Sequence, residues 1–325
     1  MSSTPPAPAP GEPFGGRVPV FVGGCLRSGT TLMAGLLGAA PGASSLTGTG
    51  VPKDEGQYLQ TVMPYGQRGG TTRAGSWPQT FMDERDAVGR EGEVRAHLWE
   101  AWSPFWDPQA RWLVEKTPSN LSRVRFLRAV LPDSRFVILM RHPIAQALAV
   151  QKWSASVAGR YLQTDLERTV ENWFRLMDHF TDSAAGLDGL QVVHYEHLVA
   201  DPGTVVESVM RGLGMDGAVP SVEAVRGGDT GPYAERWAAL AAHTRAASRA
   251  NRTIAWNEGS AEGLARVAKR AARAAMIDSR LHVAVDRWVL PRVRARIVAR
   301  FGERAAAYGY DIEDLNGCAT PPPDA

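Results

Sequence analysis

A doubly wound α/β fold with a mainly parallel sheet is predicted from three observations. Short β-prone runs alternate with helical patterns through residues 18–215, the order that builds a parallel sheet covered by helices. The first run passes through a glycine-bearing turn straight into an apolar helix, the local form of an anion-binding loop. The chain has 325 residues, 44% of them hydrophobic, enough for one large α/β domain or two small ones. The reading adopted is one domain over residues 17–315, with a helical insertion at about 66–110 and a helical C-terminal part at about 260–307. Residues 1–16, MSSTPPAPAPGEPFGG, and residues 316–325 are Pro/Gly-rich tails, expected to be disordered.

The first element is the sequence VPVFVGGCLRSGTTLMAGLL, residues 18–37. Val18, Val20, Phe21 and Val22 make a short buried strand. Gly23 and Gly24 end it, Gly29 lets the backbone approach a ligand, and Thr30 and Thr31 open a helix. Gly24 and Gly29 stand five apart, as in the G-x-x-x-x-G-K-[ST] P-loop, but Thr30 occupies the lysine position. That lysine reaches the outer phosphates of a triphosphate. Without it, and with Arg27 inside the loop, the turn suits a nucleotide with a single bridging 5′-phosphate group better than ATP.

GCLRSGTTLM resembles the 5′-phosphosulfate loop of the sulfotransferases, P-[RK]-S-G-T-T-[LW], with Leu26 in place of the usual proline. The resemblance implies a sulfuryl donor, 3′-phosphoadenosine 5′-phosphosulfate (PAPS), held on its 5′ side by Arg27, Ser28, Gly29, Thr30 and Thr31.

After the loop helix, PGASSLTGTG reads as a small, polar connection. VPKDEGQYLQTVMP then carries Lys53, Asp54 and Glu55. A carboxylate beside a cationic donor site can take the proton of an attacking alcohol; an acid pair can also simply favour a helix N-terminus. The resemblance implies that Glu55 is the general base, with Asp54 as its rival and His97 as the next group to test. Residues 66–112 hold Trp77, Trp99, Trp102, Trp106 and Trp112, which either line an acceptor pocket or lid or pack the insertion against the sheet.

RWLVE (111–115) reads as a strand, followed by KTPSN and a helix over about 119–130. EKTPSN resembles the family segment whose lysine, here Lys116, lies near the sulfate and its leaving phosphate. RFVILM (135–140) is the strongest strand, followed by Arg141, His142, Pro143 and a helix over 144–157. Arg141 thus sits at a strand's C-terminal edge, where doubly wound sheets bind ligands. The resemblance makes Arg141 the 3′-phosphate arginine. The partner serine of that motif is replaced by Ala149, with Gln146, Gln151 or Lys152 as possible substitutes.

Residues 164–182 form an amphipathic helix and LQVVHY (190–195) a strand. The Y-E-x-L segment that follows makes Glu196 architectural by resemblance. His194 and His197 lack a nearby third ligand in sequence, which argues against a metal site. Residues 217–257 read as loop-rich and basic, and Arg249 or Arg252 in SRANRTIAW (248–256) could close over a nucleotide. The helices over 260–307 carry a solvated basic face.

The net charge of +2 does not indicate nucleic acid. Two distant cysteines, Cys25 and Cys318, form neither a disulfide framework nor a metal spacing. No apolar run has transmembrane length and no signal peptide is read, so stable membrane insertion is not expected and the expected location is cytoplasmic. The expectation is therefore a metal-independent enzyme moving a sulfuryl group from PAPS to a hydroxyl or amine of a small-molecule acceptor. The competing readings are a P-loop-like kinase using ATP and a non-catalytic nucleotide-binding protein of the same fold.

Overall fold

A computed structural model describes residues 13–64, 75, 77–151, 164–223, 225, 231–241, 281–315 and 318. Among them, five strands form one sheet: β1 (Val18–Gly24), β2 (Ala43–Ser45), β3 (Trp112–Lys116), β4 (Arg135–Met140) and β5 (Leu190–His194). Their order is β2-β3-β1-β4-β5 and every pairing is parallel. The helices are α1 (Thr30–Gly38), α2 (Glu91–Trp102), α3 (Val124–Val130), α4 (Pro143–Gln151), α5 (Thr164–Ala184), α6 (Tyr195–Ala200), α7 (Pro202–Leu213), α8 (Gly231–Ala241) and α9 (Leu281–Ala307).

Side chains alternate across a strand, and this splits the core in two. Val20, Val22, Val114, Val137 and Leu139 pack on one face beneath Met33 and Leu37 of α1 and Val206 and Met210 of α7. Phe21, Leu113, Phe136 and Ile138 pack on the other, against Trp102, Phe126, Leu148, Phe174 and Phe301 from α2, α3, α4, α5 and α9. Phe21 stacks on Phe136 at 5.7 Å and meets Trp102 edge-on at 6.0 Å. A sheet covered on both faces explains why β1 and β4 read as near-continuous apolar runs.

The site follows from the topology. The chain leaves β1 toward the β3 side of the sheet and leaves β4 toward β5. Their C-terminal ends, Gly24 and Met140, therefore border a crevice of the kind in which open α/β sheets bind ligands.

Some elements differ from expectation. The polar connection after α1 contains edge strand β2, which pairs only with β3. The helix expected over 119–130 begins as a 3₁₀ turn, Pro118–Ser122, and is interrupted at Arg123 (φ −138°) before α3 starts. In the expected helical insertion the described residues form α2 and several short 3₁₀ turns. Helix α8 lies in the segment read as loop. Residues 66–74, Lys152, the basic segment 248–256 and residues 260–280 fall outside the described residues.

Phe136→Ala should lower the free energy of unfolding by about 3–5 kcal/mol, because it opens a cavity between Phe21 and Arg128 (whose guanidinium lies 5.5 Å over the ring) at the middle of the sheet. The urea unfolding midpoint measures this; a shift worth under about 1 kcal/mol would contradict this packing.

Candidate active site

The loop after β1 is a tight turn into α1. Ser28 N–H donates to Cys25 O at 3.0 Å, and Met33 N–H donates to Gly29 O at 3.1 Å. Gly29 caps the helix at φ 96°, and a Cβ there would lie 2.5 Å from the Tyr195 ring. Both the backbone and the neighbour therefore demand glycine. The first amides of α1 lack intrahelical partners, and no side chain caps them. Ser28 is fully buried, yet its hydroxyl has no hydrogen-bond partner among the described residues. Arg27 is exposed at φ 71°. Thr30 is buried and Thr31 exposed. Cys25 is buried, and burial pushes its thiol far above the ordinary range, as befits a packing residue rather than a nucleophile.

Glu55 and Lys116 meet in a buried ion pair. Lys116 Nζ donates to Glu55 Oε1 at 2.9 Å, and Gln57 Nε2 donates to Oε2 at 2.6 Å. Asp54 is engaged elsewhere. Its carboxylate accepts from the Thr49 hydroxyl at 2.6 Å and from the Thr49 amide at 2.9 Å. Those bonds hold it below the usual carboxylate range. Lys53 and Asp54 both adopt positive φ, 58° and 49°, and this turn separates the two acids so that only Glu55 enters the interior. Glu55 and Gln57 line a cavity of about 230 Å³ together with Gly24, Cys25 and Leu26 of the loop. Tyr58, Leu121 and Leu176 form much of its apolar wall.

Arg141 lies at the end of β4. Its Nη1 donates to Arg27 O at 2.9 Å, which ties the two strand ends together. Its guanidinium sits 4.4 Å from the Tyr195 ring and 5.3 Å from the Tyr233 ring. Arg141 is 6% exposed, and its Nε has no partner among the described residues. Trp173 Nε1 donates to Arg141 O at 3.0 Å. Next to it, His142 N–H donates to Glu196 Oε1 at 2.9 Å. Ala149 is buried on α4. Gln146, one of the residues considered as its substitute, donates to Leu26 O at 2.7 Å and leaves Oε1 unpartnered among the described residues. Gln151 is bonded by Arg236.

Other expected residues fall away from this constellation. His97 contacts Thr61 at 3.3 Å and does not line the cavity. Trp102 and Trp106 are buried, with their indole N–H groups on Gly56 O and Val114 O, so they pack the core. His194 Nδ1 lies 2.9 Å from the Tyr310 hydroxyl and 3.0 Å from Cys318 Sγ. It belongs to the anchorage of the C-terminal segment. The sequence reading did not single out Gln57 or Tyr195 for the site, nor Glu115, the lone acid in an apolar strand. A charge inside such a run must find partners, and that signal was present.

The constellation is a strand-to-helix loop of the anion-binding form joined to a second strand-end arginine, with the carboxylate of a buried ion pair lining the cavity that Gly24, Cys25 and Leu26 of the loop also line. Its unpartnered buried groups, the Ser28 hydroxyl and Arg141 Nε, are suited to phosphate oxygens. A family model described as "Sulfotransferase family" matches residues 19–218, more than half of the chain. The chain belongs to the sulfotransferase family. It is 25% identical over 197 residues to protein-tyrosine sulfotransferase 1 of Danio rerio and 24% over 200 residues to protein-tyrosine sulfotransferase 2 of Gallus gallus. Each match covers 60% of this chain, and the chain spans about half the length of these curated relatives (52% and 51%). Among solved structures, sulfotransferase STF1 from Mycobacterium tuberculosis H37Rv aligns with TM-score 0.42 and 20% identity, over 62% of this chain and 68% of that one. A sulfotransferase from Alicyclobacillus acidocaldarius aligns with TM-score 0.42 and 17% identity, over 74% of this chain and 94% of that one. No helix among the described residues is long and apolar enough to cross a membrane.

The strand ends carry a pH dependence. Ile144 N–H donates to His142 Nδ1, so Nε2 carries the proton and donates to Asp311 O at 2.8 Å. Burial pushes both His142 and His194 down from 6.5 to about 4. The unfolded chain then binds more protons than the folded one between those values. Stability is therefore fully present above pH 6.5 and is lost as pH falls toward 4. Urea midpoints at pH 7.0, 5.5 and 4.5 should fall in that order. His142→Gln should flatten the slope; an unchanged slope would contradict a neutral, buried His142.

Proposed function

We propose that this protein is a PAPS-dependent sulfotransferase acting on a hydroxyl or amine of a small acceptor. The observation that carries the reading is that Glu55 and the loop residues Gly24, Cys25 and Leu26 line one cavity. PAPS, when bound, supplies the sulfuryl group and a leaving adenosine 3′,5′-bisphosphate. The amides at the start of α1, the Ser28 hydroxyl, Arg27, Gly29, Thr30 and Thr31 hold the 5′ side, and Arg141 holds the 3′-phosphate. Lys116 neutralises charge that grows on the leaving oxygen. Glu55 takes the acceptor's proton onto its carboxylate as the acceptor oxygen bonds to sulfur. Gln57 and Lys116 restrain that carboxylate from two sides. Thr30 at the P-loop lysine position argues against ATP chemistry.

The cavity that Glu55 shares with the loop is small, at about 230 Å³ in all, below the ~300–1,000 Å³ of pockets for drug-sized ligands. It suits a single ring or a short chain. The names of the curated relatives add a peptide tyrosine side chain as an occupant to test.

Calorimetry tests the donor. Adenosine 3′,5′-bisphosphate should bind at least about tenfold tighter than adenosine 5′-monophosphate, about 1.4 kcal/mol, and Arg141→Ala should erase most of that preference. Equal affinities in the unmodified protein would overturn the role of Arg141. Labelled PAPS offered with p-cresol, hexanol, glucose and a tyrosine peptide tests the acceptor.

The base is tested separately. Glu55→Gln should lower turnover about 10²–10⁴-fold and leave adenosine 3′,5′-bisphosphate binding nearly unchanged. Asp54→Asn should cost much less. A dead Asp54→Asn beside an active Glu55→Gln would move the base to Asp54.

A further inference from the structure

We propose that Glu115 is a positioning residue for the reaction, a buried carboxylate that sets Glu55 against Lys116 and ties both to the end of β1. The inference rests on the assignment of Glu55 as the base. Glu115 is 1% exposed and stands on β3 immediately before Lys116. Gly56, immediately after Glu55, donates its N–H to Glu115 Oε1 at 2.9 Å. The Thr117 hydroxyl donates to the same oxygen at 2.6 Å, and Asn120 Nδ2 donates to Oε2 at 2.6 Å. Neighbouring side chains of a strand leave it on opposite faces. Glu55 therefore meets Lys116 on one side of the strand end while Gly56 meets Glu115 on the other.

The hold on this peptide is tight. Trp102 Nε1 donates to Gly56 O at 3.0 Å, so both polar groups of the residue are gripped by buried side chains. A Cβ on Gly56 would lie 2.7 Å from Glu115 Oε1 and 2.8 Å from Trp102 Nε1. The same network continues outward in two directions. Thr117 Oγ1 accepts from Gln57 N–H at 3.2 Å, and Gln57 in turn restrains Glu55. Asn120 Nδ2 also reaches Val22 O at 3.3 Å, two residues before Gly24 and the phosphate loop.

Gly56, Thr117 and Asn120 all act as donors to Glu115, an arrangement that favours the ionised carboxylate. Burial raises its pKa, while the bonds from Thr117, Asn120 and Gly56 and the charge of Lys116 oppose that shift. A neutral amide replaces it only with a change of partners. Glu115→Gln would set an NH₂ group against Gly56 and Thr117, or against Asn120 unless that amide turned and gave up its bond to Val22 O.

The experiment is a double-mutant cycle on the full chain, following turnover of labelled PAPS with p-cresol and, separately, with water as acceptor. Glu115→Gln alone should lower kcat about 10–100-fold with the KM for PAPS within about twofold, the split expected when an interaction needed in the transition state is lost. Introduced into Glu55→Gln it should cost less than about threefold more, because the group it positions is already gone. Thr117→Val, which removes one donor without changing the shape, should follow the same non-additive pattern if Glu115→Gln fails to fold. Thr117→Ser keeps the hydroxyl and should lose less than Thr117→Val. An equal loss in both backgrounds would make Glu115 merely structural and overturn the proposal. Wild-type turnover by Glu55→Gln overturns the base assignment, and the positioning role with it, whatever Glu115→Gln does. An unmodified protein that turns over PAPS with none of p-cresol, hexanol, glucose, a tyrosine peptide or water overturns the PAPS-dependent reading itself.

Discussion

Charge buried away from water must be matched in place, and this requirement shapes the molecule around Glu55 and Lys116. Taking an ion out of water costs several kcal/mol even after relaxation, and a single partner offsets that only with good geometry and further hydrogen bonds. Here Lys116 and Gln57 serve the two oxygens of Glu55. Glu115 brings a second buried anion one residue from Lys116, matched by donors from Gly56, Thr117 and Asn120. Arg123, fully buried close by, adds a second cation on which the charge of Glu115 acts. Burial pushes that guanidinium down to about 10, and it donates to Thr80 O and Pro64 O. Two anions and two cations thus occupy one interior region. Removing Glu55 or Lys116 leaves the other uncompensated, so the segments that carry them have little freedom to drift apart.

The sheet supplies the frame for this arrangement. Five parallel strands place their C-terminal ends along one edge. The phosphate-type loop follows β1, Lys116 ends β3 and Arg141 follows β4. Because β1 is flanked by β3 and β4, those three chemistries arise on adjacent strands. Only Glu55 comes from elsewhere, on the irregular chain after edge strand β2. Its segment joins no strand among the described residues and makes only short 3₁₀ turns, so side chains anchor it to the sheet, which is why the Glu115 network matters there and not at Arg141.

What the sequence revealed depended on whether a signal was local. Strands β1 and β4 were plain because burial on both faces makes them continuous apolar runs. The loop residues Arg27 to Thr31 were legible because Arg, Ser, Gly and two threonines in succession have no packing reason to occur together. Edge strand β2 was not legible. Its residues Ala43, Ser44 and Ser45 are half-buried and pair with one neighbour only, so no hydrophobic pattern marks them. The resemblance pointed to Glu55 with Asp54 as rival, but which of the two acids enters the interior was closed to sequence reasoning. It turns on two successive residues at positive φ and on a bond to Thr49, neither of which a propensity describes. The tryptophans left two readings open, a pocket wall or core packing, because aromatic density looks the same in both. Their N–H bonds to Gly56 O and Val114 O distinguish the two.

The link between the ends of β1 and β4 gives the site its rigidity. Arg141 donates to Arg27 O rather than to an acidic side chain. A guanidinium held by a carbonyl keeps its full charge for an incoming anion, whereas a carboxylate partner would have to be displaced. Tyr195 performs two tasks at once. Its ring lies under the Arg141 guanidinium, and the same ring closes the space beside Gly29. Movement of the loop would therefore disturb the arginine, and movement of the arginine would pull on Arg27. Trp173 holds the Arg141 carbonyl, and Glu196 holds the next amide. The strand end is thus fixed independently of any ligand. If it takes the anion proposed for it, such a site meets that anion already organised, and little binding energy is needed to assemble it.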